Sequence, residues 1–169
     1  MTSLSLVSAA CGTVLLAGAA FAQDLPEPRG PVVLTVTGEI GRTNGDGAAR
    51  FDLDMLRAIG ETEIVTDTIW TADTSTFTGV ELEDLLDYLQ ADGGEIEARA
   101  INDYAVSVPV ADGVDGGPII AFEMDGKIMS RRDKGPLWLI YPYAASSEYR
   151  TEVIYARSIW QLDRMDIRK

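Results

Sequence analysis

The chain of 169 residues has no histidine and one cysteine, Cys11. Cys11 falls inside a charge-free opening run, MTSLSLVSAACGTVLLAGAAFA, which ends in Ala20-Phe21-Ala22. An apolar run closed by small residues in an A-x-A-like pattern reads as a cleaved export signal over residues 1–22. It lacks the usual positive start. It is also short for a spanning helix, and no later run is long and apolar enough to cross a bilayer. Cleavage before Gln23 would leave a protein without cysteine or histidine. That removes thiol nucleophiles, imidazole bases, disulfides and soft metal ligands together, and a Ser-His-Asp triad with them. Any acid–base chemistry would fall to carboxylates, Tyr or Lys, and any metal to hard oxygen ligands.

Positive charge is also scarce. Fourteen Lys and Arg stand against 27 Asp and Glu, a net charge of −13. Long-range attraction to nucleic acid or to an anionic membrane is excluded on this balance. The apolar fraction, 46%, is that of an ordinary folded domain.

The pattern along the chain implies an extended Pro-containing leader over residues 23–31 and one domain over residues 32–169. Strands are expected at Val32–Thr37 and Glu63–Trp70, with a turn-rich stretch, ADTSTFTG, after the second. Asp52 can cap a short helix whose Leu53, Leu56 and Ile59 share a face, and Gly60 ends it. Residues Glu81–Ala91 form the clearest helix, with Leu82, Leu85, Leu86 and Leu89 as its stripe and Asp92-Gly93-Gly94 as its stop. Strand patterns follow in EIEARAI, DYAVSVPV, PIIAFEM, KIM and LWLIY, and again from Ser158 to Ile167. Asp125-Gly126 is a hairpin signal. Strands outnumber helices without regular alternation, so the class is α+β, with a mixed, mainly antiparallel sheet and a few short helices.

Three stretches can carry chemistry. Trp70 and Thr71 stand where a strand meets a polar turn, and a Trp there is either core or a stacking wall. Asn102-Asp103-Tyr104 joins two strands. It is either an ordinary turn or a site where the Asp103 carboxylate receives paired N–H donors. Arg131, Arg132 and Lys134 crowd before Gly135-Pro136, Trp138 and Tyr141. Such a cluster is either a solvated charge run or a set of cations beside flat walls that hold a polar planar molecule.

The order of FTGVELEDLL, NDYAVSVP, the MDGKIM hairpin, GPLWLIYP and RSIWQL resembles the sulfite-oxidase-type molybdopterin-binding domain, from about Val33 to Ile167. The resemblance implies that family's fold. Its catalytic members ligate molybdenum through a cysteine before the Gly-Val-x-Leu helix start, where this chain has Trp70 and its neighbours. The resemblance therefore points to the small cysteine-less exported branch, similar to periplasmic pterin-binding proteins that report to membrane signalling enzymes. It implies a pterin ligand without molybdenum, held by Trp70, Thr71, Asn102, Asp103, Tyr104, Arg131, Arg132, Trp138 and Tyr141. The expected protein is a periplasmic monomer with no catalytic residue. It would meet a pterin and the periplasmic domain of a membrane signalling protein, without nucleic acid or membrane insertion. The alternative implied by the resemblance is a molybdopterin-dependent oxidoreductase with an atypical site.

Overall fold

Ten strands build one mixed sheet in a computed structural model that describes residues 25–169. The expected export signal, residues 1–22, lies outside the described residues. The strands are β1 (Leu34–Gly38), β2 (Ala49–Phe51), β3 (Thr62–Thr66), β4 (Ser75–Glu81), β5 (Glu95–Ala100), β6 (Ala105–Pro109), β7 (Ile119–Met124), β8 (Lys127–Ile128), β9 (Leu137–Ile140) and β10 (Trp160–Arg168). The helices are α1 (Leu53–Ile59), α2 (Leu82–Leu89) and α3 (Glu152–Arg157).

The strand order is β2-β1-β10-β9-β7-β4-β3, with β5 and β6 added on β10 and β8 on β7. Only the β1–β10 pair is parallel. The mixed, mainly antiparallel α+β expectation therefore holds. Strand β10 is the hub. Its first residues pair with β9, and the rest run between β1 and β5. A register shift between Trp160 and Leu162 marks that change of neighbour.

Local chemistry explains the helices. Leu82, Leu85, Leu86 and Leu89 of α2 are all buried, as helical spacing requires of one stripe. The helix stops earlier than expected, because Gln90 takes the left-handed conformation (φ 53°) and its N–H caps the carbonyls of Asp87 and Leu86. At α1 the Asp52 carboxylate accepts from Met55 N at 2.9 Å and also from Arg29 N at 2.7 Å and Gly30 N at 2.8 Å. One buried side chain thus caps a helix and ties the leader to the domain. These N–H donors, Gly30's first, hold its carboxyl below the ordinary value. Leu25 of the leader is itself buried.

Two expectations change. The strand placed at residues 63–70 ends at Thr66, because the Thr68 hydroxyl accepts from Trp70 N and Thr71 N and closes a turn. The stretch expected to be turn-rich becomes β4, a strand paired on both sides, from Ser75 onward. Its Gly79 permits the close approach to β7, since a Cβ there would fall 2.4 Å from the Ile120 carbonyl oxygen. The short β2 and α3 were not expected. The Asp125-Gly126 hairpin forms as expected, with φ 52° and 72° at its two central residues.

Candidate functional site

The three tryptophans of the chain converge at one end of the sheet. Trp138 and Trp160 are cross-strand partners on β9 and β10, with ring centroids 6.3 Å apart and planes at 90°. Trp70 reaches them from the turn after β3. Its ring lies 5.8 Å from Trp138 and 5.7 Å from Trp160. Tyr155 of α3 stands 5.8 Å from Trp70 at 87° and 5.4 Å from Tyr143. Edge-to-face pairs place the positive rim of one ring on the negative face of the next, so this cluster is attractive beyond its buried area.

Trp138 is fully buried, and its Nε1 donates to the Ser158 carbonyl at 3.1 Å. Trp160 stays 39% exposed and Tyr104 57%. Trp70, Tyr104, Tyr155 and Trp160 thus wall a cleft of about 300 Å³, completed by Asn102 and Gln161 among others. Among the described residues, no charged side chain lines it. The Ser158 hydroxyl beside it is committed to the Tyr143 hydroxyl at 2.5 Å and donates to the Ile154 carbonyl at 2.8 Å. It is therefore no free nucleophile. Burial first, offset in part by that hydrogen bond, pushes the Tyr143 phenol up to about 12.

Trp70 also lines a second, polar depression of about 630 Å³, reached by Thr71, Asp73, Asp125, Arg132 and Lys134. Lys134 Nζ sits 4.5 Å from the centre of the Trp160 ring and 5.0 Å from that of Trp138. The crowd of cations before the aromatic strand therefore has one member packed on the rings, by cation–π attraction.

The expected site residues separate on this geometry. Trp70 lines both cavities, Asn102 and Tyr104 the cleft, Thr71 and Arg132 the depression. The Thr71 hydroxyl also meets that of Thr68 at 2.9 Å. Four others do not line either cavity. Asp103 is exposed, and its Oδ1 accepts from Arg164 at 3.0 Å. The Arg131 side chain is exposed, and its carbonyl accepts from Gln161 Nε2 at 2.7 Å. Trp138 and Tyr141 are 0% exposed, so neither ring offers a face to a ligand. Tyr141 instead donates to Asp112 at 2.7 Å, and Asp112 also pairs with Arg157 of α3. Burial and the Asp112 carboxylate drive the Tyr141 phenol well above its ordinary value.

Sequence reasoning missed Tyr155, Trp160, Gln161 and the packing of Lys134. Trp160 carried a signal, since it is the third tryptophan of a chain whose other two had already been singled out. Tyr155 carried none, because α3 has no apolar stripe.

The chain matches the oxidoreductase molybdopterin binding domain family over residues 53–149, and it belongs to that family. Among solved structures, the sulfane dehydrogenase SoxCD from Paracoccus pantotrophus has a similar fold, with a TM-score of 0.57 and 15% sequence identity. The similarity covers 80% of this chain and 37% of that one, so this chain spans a little over a third of its length. No curated protein matches the chain in sequence.

Family membership implies molybdopterin, and the residues present fit it only in part. A flat ring has walls to stack on. Thiolate ligation of molybdenum does not fit, since residues 25–169 hold neither cysteine nor histidine. The carboxylates of Glu81, Glu83 and Asp115 approach one another closely enough for a hard cation, but none of them lines the cleft or the depression. Burial, and then the Asp115 charge, raises the Glu83 carboxyl above its ordinary value.

Proposed function

We propose that this protein is a non-catalytic binding module for a pterin or a similar flat heterocycle, exported to the periplasm and acting through a membrane signalling partner. The observation that carries the reading is the charge-free cleft walled by Trp70, Tyr104, Tyr155 and Trp160. Its volume, about 300 Å³, falls at the small end of ligand pockets. Aromatic walls suit a neutral planar ring, and there is no nucleophile or charged acid–base group to transform it.

Two amides at the cleft support the same reading. Asn102 Oδ1 accepts from Tyr104 N, and Gln161 Nε2 donates to the Arg131 carbonyl. Those bonds leave the Asn102 NH₂ as donor and the Gln161 Oε1 as acceptor. A donor and an acceptor together complement the lactam edge of a pterin, which offers one carbonyl and one N–H.

Anaerobic calorimetry with tetrahydropterins and oxidised pterins tests the reading. Saturable binding that Trp70→Ala weakens supports it. No heat with any of them contradicts it and favours an adaptor that uses the fold without a ligand. Family membership favours a second reading, an oxidoreductase with an atypical site. Metal analysis of protein from its native compartment separates the two, because stoichiometric molybdenum would support the oxidoreductase. Cleavage before Gln23 in the exported fraction, read by mass spectrometry, tests the location. Co-purification with a membrane protein carrying a periplasmic sensor domain tests the partner.

A further inference from the structure

The aromatic cleft and the polar depression share one lining residue, Trp70. The two cavities differ in character. The cleft has no charge, whereas the depression holds three carboxylates and two cations. Most of those charges are already engaged. Asp125 accepts from Thr76 N at 2.9 Å, Asp133 accepts from the Ser130 hydroxyl at 2.7 Å, and Lys134 sits over two indole rings. Asp73 and Arg132 are exposed and make no hydrogen bond or ion pair among the described residues.

We infer that the depression is the second compartment of the same ligand site, taking the substituent of a ring held in the cleft, and that Asp73 and Arg132 select that substituent by charge. The inference rests on the pterin reading of the cleft. Three carboxylates outweigh two cations, and one of those cations is held by aromatic rings. An anionic substituent is therefore disfavoured. An uncharged hydroxylated chain fits better, since its hydroxyls can donate to Asp73 and accept from Arg132. A charge in so open a depression is screened by water and salt, so each of these two residues shifts affinity for a charged substituent by about three- to tenfold.

The test is anaerobic calorimetry with unsubstituted pterin, 6-hydroxymethylpterin and pterin-6-carboxylate, each in oxidised and tetrahydro form. Wild-type protein, Asp73→Asn and Arg132→Gln are compared. Both positions are exposed, so both variants fold. The wild type should prefer the hydroxymethyl compound over the carboxylate. Asp73→Asn should narrow that preference by about threefold or more, and Arg132→Gln should widen it by a similar factor. Unsubstituted pterin should bind all three proteins alike. If pterins bind but neither variant changes the preference, the inference falls and the cleft reading stands. If no pterin binds the wild type, the cleft reading itself falls and the inference with it.

Discussion

Replacing Trp70 by alanine removes a ring that meets four others, Trp138, Tyr143, Tyr155 and Trp160, at centroid distances of 5.7–6.5 Å. Truncating a fully buried Trp costs about 3–5 kcal/mol. Trp70 is only half-buried, which reduces the lost burial, but four edge-to-face pairs at about 0.5–1.5 kcal/mol each go with it. Those two contributions overlap, so the expected loss is about 2–3 kcal/mol. For a domain of this size that lowers Tm by about 6–9 °C. The same change removes the residue that lines both the cleft and the depression, so Kd for a pterin should rise more than tenfold, or about 1.4 kcal/mol. Trp70→Phe keeps a ring and should recover part of both losses. Circular dichroism melts read the first effect, and calorimetry at 10 °C, where the variants remain folded, reads the second. An unchanged Tm would refute the packing argument. A lowered Tm with unchanged pterin affinity would refute the placement of the site.

Two further outcomes follow from the fold. Asp52→Ala orphans the N–H groups of Arg29, Gly30 and Met55 and should cost about 2–4 kcal/mol in urea unfolding. Because the folded-state carboxyl titrates below its ordinary 3.8, its contribution is present above that value and lost as pH falls through the depressed one. Asp52→Ala should therefore flatten the acid limb of the stability curve, and an unchanged limb would contradict the assignment. Tyr143 titrates at about 12 in the folded protein against 10.0 ordinarily. Its contribution is full below pH 10 and is lost as pH rises toward 12, since the unfolded chain ionises first. Tyr143→Phe should leave less of that alkaline loss, which ultraviolet-monitored unfolding between pH 9 and 12 measures.

Local chemistry was legible in the sequence, and long-range partnership was not. The leucines of α2 and the Asp52 cap announce themselves within a few residues, and so does the Asp125-Gly126 turn. Strand β4 was hidden because Ser, Thr and Gly read as turn residues, and only pairing with both β3 and β7 makes them a strand. The candidate site divides in the same way. Trp70, Asn102, Tyr104 and Arg132 sit on turns that the sequence marks, and each lines a cavity. Nothing near Asp103 in the sequence signals Arg164, which donates to it from 61 positions away. Trp138 and Tyr141 looked like walls beside a basic loop, but β9 runs between β7 and β10, where all four of its residues are buried, and Tyr141 just after it is buried too. Of the three cations before this strand, Lys134 covers the ring pair that joins β9 to β10, whereas Arg131 and Arg132 are exposed.

The central claim is that this family member holds a ring and not a thiolate-ligated metal. The direct measurement takes the protein from its native compartment under anaerobic conditions and releases its small molecules by denaturation. Mass spectrometry then identifies them, and elemental analysis counts molybdenum per chain. The account predicts a pterin near one per chain, with molybdenum far below one. Molybdenum near one per chain, released together with molybdopterin, would contradict it.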